Sequence, residues 1–121
     1  MVQLTGQDGT WIMKRPKKIK VGPTIWRVVY DNEKLSTANS MGETNSFTAE
    51  IVIAEDLDPQ IEVETLVHEV FHAMYSTFAY NWKDLKSPYE REERVVGFTS
   101  SAWLGVMKDN PKLVAWITRD I

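Results

Sequence analysis

The chain has 121 residues, 43% apolar and 11% aromatic, which suits one compact domain and argues against disorder over most of its length. It contains no cysteine, which excludes a disulfide framework and a thiolate metal site, so any bound metal falls to histidine and carboxylate. The net charge of −3 speaks against general electrostatic binding of nucleic acid, and no stretch approaches the roughly 20 apolar residues of a membrane span.

Met1 to Trp11 is polar and glycine-containing, with no apolar signal region, so the expected location is the cytoplasm. Five basic residues follow within seven, Lys14 to Lys20. They read as a solvated segment leading into a strand; the functional alternative is a patch for nucleic acid or an acidic partner. From Lys18 to about Ala54 the pattern favours strands. Ile19, Val21, Ile25, Trp26, Val28, Val29 and Tyr30 are β-branched or aromatic, interrupted by Gly22-Pro23. Asp31-Asn32 reads as a turn and Ser36 to Asn45 as a polar loop. Ser46 to Ala54 then predicts a half-buried strand, its inward face carried by Phe47, Ala49, Ile51 and Ile53.

A helix is expected from about Pro59 to Ala79, capped by Asp58, with Glu62 and Glu64 at the positive end of its dipole. Val63, Leu66, Val67, Val70, Phe71, Met74, Tyr75 and Phe78 recur at helical spacing. Tyr80 to Ser87 is polar and irregular. A second helix is expected from about Pro88 to Lys108, stopped by Asn110-Pro111, and Lys112 to Ile117 predicts a short last helix. Strands followed by helices, without repeats or linkers, make an α+β domain spanning residues 1 to 121.

The chemistry concentrates in His68-Glu69-Val70-Phe71-His72. Residues four apart lie on one helix face, so both imidazoles reach a single ion, with zinc the default. Glu69 points elsewhere but can sit beside the open coordination position as general base for a metal-activated water. These are the only two histidines in the chain, and the motif lies inside an amphipathic helix. A catalytic zinc site takes a third protein ligand, which here falls to a carboxylate. Glu92 shares a helical row with Val96, Thr99, Trp103 and Val106. Glu93 shares one with Val96, Gly97, Ser100, Leu104 and Met107. The first row is the more apolar, so Glu92 is preferred, with Glu93 left open. Tyr75, Tyr80 and Tyr89 are weaker candidates to steady an oxyanion, Tyr75 falling on the apolar stripe. The strand Ala49 to Ala54 is a candidate edge for aligning an extended peptide.

The nonapeptide Thr65 to Ala73 together with Glu92-Glu93-Arg94-Val95-Val96 resembles the gluzincins, metallopeptidases with HExxH and a downstream glutamate ligand. In length the chain is similar to the minigluzincins and to small phage-encoded and ImmA/IrrE-like metallopeptidases. The resemblance implies a zincin-like fold, a small mixed sheet on an active-site helix and a glutamate helix. It implies one zinc held by His68, His72 and one of Glu92 or Glu93, with Glu69 as catalytic base. The expected function is zinc-dependent hydrolysis of a protein or peptide substrate, in the host cytoplasm if the chain is phage-encoded. The alternative is a non-catalytic or partner-dependent zinc-containing module that recognises protein or nucleic acid.

Overall fold

The computed structural model describes residues 2–4, 11–78 and 87–121. A short antiparallel pair, β1 (Val2–Leu4) and β2 (Trp11–Met13), precedes a four-stranded mixed sheet. Its strands are β3 (Lys18–Val21), β4 (Thr24–Tyr30), β5 (Gly42–Asn45) and β6 (Glu50–Ile53), in the order β3-β4-β6-β5. Only β4 and β6 run parallel. Three helices follow, α1 (Pro59–Thr77), α2 (Pro88–Asp109) and α3 (Pro111–Ile117). The architecture is therefore α+β, as expected. The expected helix end at Ala79 lies outside the described residues.

Local chemistry explains most of these boundaries. Gly22 takes a positive φ of 54° in the two-residue turn joining β3 and β4, a conformation that glycine adopts freely. Asp58 caps α1 by accepting from the Gln60 amide, and Ser87 caps α2 by accepting from the Glu90 amide; proline follows each cap. Asn110 ends α2 and also closes the outer edge of β3. Its Oδ1 accepts from the Lys20 amide at 2.8 Å and its Nδ2 donates to the Lys20 carbonyl at 2.7 Å. An edge strand that would otherwise present unpaired main chain is thereby blunted.

One face of the sheet carries the core. Ile19, Val21, Trp26, Val28, Ile51 and Ile53 pack against Leu66, Val70, Ala73 and Met74 of α1, Val106 of α2, and Leu113 and Trp116 of α3. The Trp26 indole donates to the Thr77 hydroxyl at 2.9 Å, so its one polar atom is satisfied inside.

Three expectations for the strands are corrected. Residues 46–49 form a turn, and Phe47 is 99% exposed where it was expected to face inward. The cause is Asn45, whose side-chain oxygen accepts from the Phe47 and Thr48 amides and pulls the chain out of the strand; Ala49 then turns back at φ 52°. The strand that remains, β6, is central and not half-buried, with Ile51, Val52 and Ile53 all buried. It cannot serve as a peptide-aligning edge. That position belongs to β5, which forms within the stretch expected to be a loop.

Candidate metal centre

α1 divides its side chains between two tasks. Leu66, Val70, Ala73 and Met74 face the sheet, while His68 and His72 face solvent one turn apart. Their Nε2 atoms lie 3.2 Å apart, with ring centroids separated by 4.9 Å. Two imidazoles bound to one tetrahedral ion at about 2.0–2.1 Å each place their nitrogens roughly 3.3–3.4 Å apart. The pair is thus already at ligand spacing. The same distance allows one ring N–H to donate to the other nitrogen, the tautomers deciding which.

Glu69 lies on the flank of α1 turned toward β5 and is 94% buried. The Thr44 hydroxyl donates to its Oε1 at 2.7 Å and also lies 3.1 Å from its main-chain carbonyl. Its Oε2 is 3.9 Å from His68 Nε2. A carboxylate is therefore held beside the imidazole pair by a hydroxyl from the edge strand. Gly42 makes that approach feasible. A Cβ there would lie 2.8 Å from Thr65 Cγ2, 3.1 Å from Glu69 Cγ and 3.2 Å from Glu69 Oε2. Neither Thr44 nor Gly42 was singled out from the sequence. The available signal was the glycine itself, because glycine beside a strand often marks close backbone approach.

Glu92 and Glu93 are exposed and do not join the histidines. Among the described residues no group of three or more His, Asp or Glu side chains is gathered for a metal ion. The packing of the helices gives the reason. Phe71 meets Trp103, with ring centroids 5.3 Å apart, whereas Tyr75 reaches back along α2 to bond Thr99 at 2.7 Å and to pack on Phe98 at 4.9 Å. The helices run antiparallel, so moving toward Glu92 on α2 moves toward the end of α1 and away from His72. Seven residues separate Glu92 from Thr99, roughly 10 Å of helix. The row to which Glu92 belongs meets α1 through Thr99 and Trp103 and buries Val106, while its Val96 is exposed; the Glu93 row, which shares Val96, is also exposed at Gly97, Ser100 and Leu104. Tyr75 spends its hydroxyl on Thr99, Tyr89 is exposed, and Tyr80 lies outside the described residues.

Three clefts meet along the His68–Glu69–His72 line. One of about 580 Å³ is walled by Val63, Val67, Phe71 and Tyr75 and reaches both imidazoles. A second, about 720 Å³, runs from Glu69 and His72 past Thr44 and Glu43 to Lys34 and Phe47. A third, about 350 Å³, brings Met41, Gly42 and Glu64 to His68 and Glu69. Glu43 also steadies the rim. The Ser36 hydroxyl and amide and the Thr37 amide donate to it, holding its carboxyl below the ordinary glutamate range. Among the described residues no helix is long and apolar enough to cross a membrane. No family model matches the chain, and neither a curated protein nor a solved structure matches it.

Proposed function

We propose that this protein is a zinc-dependent peptide hydrolase. The observation that supports it most is the 3.2 Å spacing of the His68 and His72 nitrogens with the Glu69 carboxylate alongside. His68 and His72 would hold the ion, which, when bound, supplies a polarised carbonyl and an acidified water. Glu69 takes the water's proton and returns one to the departing amine. Thr44 keeps Oε1 engaged, so that Oε2, the oxygen nearer His68, is the one left to act. Among the described residues no strand pairs with the outer edge of β5, which lies beside Glu69 and offers main-chain groups to an extended substrate, and the clefts on either side receive its side chains.

The third ligand is the part of this reading that the packing of α1 and α2 does not supply. Glu92, on the row that faces α1, is our candidate ahead of Glu93. It requires the start of α2 to move toward His72 in the zinc-bound protein. The resemblance of the nonapeptide Thr65 to Ala73 to HExxH metallopeptidases supports the hydrolytic reading through His68, Glu69 and His72.

Glu69→Gln is the sharpest test, read as hydrolysis of a quenched-fluorescent peptide library by zinc-loaded protein. The variant should fold and keep its zinc while turnover falls by about 10²–10⁴-fold. Hydrolysis undiminished in Glu69→Gln, or none in the zinc-loaded wild type, would overturn the proposal.

A further inference from the structure

The basic segment Lys14 to Lys20 divides into committed and uncommitted charges. Arg15 Nε stands 3.2 Å from the buried Glu62 carboxylate, and its guanidinium lies 5.0 Å over the Tyr30 ring. Lys20 Nζ is 3.3 Å from Asp109. Lys14, Lys17 and Lys18 form no ion pair among the described residues, and neither does Lys112 from the first turn of α3. The sequence segment and the distant Lys112 come together around one groove of about 570 Å³ at the α2–α3 corner. Its single carboxylate, Asp109, is the one already paired with Lys20. The groove shares no residue with the three clefts at the histidines.

We propose that this groove binds the phosphate backbone of double-stranded nucleic acid through Lys14, Lys17, Lys18 and Lys112. A net charge of −3 does not oppose this. Fixed charges are screened beyond about 10 Å at 0.1 M salt, so the local lysines govern contact. The groove also selects among polyanions. An acidic peptide gains most by pairing with a strand edge, but Asn110 already occupies the Lys20 amide and carbonyl on the outer edge of β3. A single strand gains by stacking its bases on aromatic rings, and among the described residues no aromatic side chain lines this groove. A membrane surface calls for inserted apolar side chains, whereas Leu113, the large apolar residue here, is buried. Lysines acting as point charges on regularly spaced phosphates satisfy what is left. The proposal does not rest on the metal site, and a failure of the hydrolytic reading leaves it standing.

The experiment is fluorescence anisotropy of a short random-sequence DNA duplex titrated with the full chain across a salt series. Four phosphate contacts predict that log K falls with log salt at a slope of about −3 to −4, whatever the sequence. Lys17→Ala and Lys112→Ala should each make that slope shallower by about 1, and both positions are exposed, so thermal unfolding serves as an unchanged control. The proposal is overturned if the duplex fails to bind at low salt. It is overturned equally if the double variant keeps the wild-type slope, or if polyglutamate, a single strand of equal length or anionic vesicles bind more tightly than the duplex.

Discussion

The two carboxylate-bearing regions around the histidine pair behave in opposite ways. Glu69 is enclosed between α1 and β5, bonded by Thr44 and fitted against a position where only glycine leaves room. Glu92 and Glu93 stand exposed in the second turn of α2, on a helix that meets α1 chiefly further along, through Phe98, Thr99 and Trp103. The position of Glu69 relative to His68 follows from adjacency on one rigid helix, with a neighbouring strand for support. The position of Glu92 depends on how two helices cross and how far one slides along the other. On the proposed reading, Glu69, His68 and His72 are preorganised in the roles of base and ligands, while the carboxylate proposed as third ligand is not.

Breaking the enclosed region should have the larger effect. Gly42→Ala drives a methyl against Thr65 and Glu69, so β5 has to shift. The expected cost is about 1–3 kcal/mol of stability, read as a lowered midpoint in urea unfolding, together with loss of hydrolysis. An unchanged midpoint would mean that β5 does not press on α1 as described.

A gentler change sharpens the same point. Thr44→Val keeps shape but removes the donor to Glu69, at an expected cost of about 1 kcal/mol. Since Thr44 acts by positioning Glu69, kcat should fall roughly five- to tenfold with KM little changed. Thr44→Ser should restore most of it. A matching loss in KM, or no rescue by serine, would assign Thr44 a different role.

Much of this arrangement was legible in the chain, and what was not has a common cause. The helix positions followed from caps and from the 3.6-residue spacing of Leu66, Val70, Ala73 and Met74, which are local properties. The histidine pair was legible because i, i+4 spacing converts directly into distance. Of the row Val96, Thr99, Trp103 and Val106, expected to face inward, Thr99 and Trp103 meet α1 and Val106 is buried, whereas Val96 is exposed. Periodicity, however, reports which way a row points and not how far along its neighbour it lies, so Glu92 could be assigned a face without being assigned a place. The strand β5 was missed because Gly42-Glu43-Thr44-Asn45 is polar and short. Its pairing with β6 is a hairpin across residues 46–49, set by main-chain bonds and turn chemistry and not by an apolar side-chain pattern. Phe47 misled for the opposite reason, since its apolar alternation with Ala49 and Ile51 was overridden by the Asn45 side chain bonding two amides.

The central claim is that His68 and His72 form a zinc site, and metal content of the purified protein by mass spectrometry tests it most directly. The account predicts about one zinc per wild-type chain, lost in both His68→Ala and His72→Ala. Loss in Glu92→Ala as well would show that the start of α2 closes on the pair. A wild type that takes up no zinc after supplementation, or a His72→Ala variant that keeps a full complement, would contradict the account.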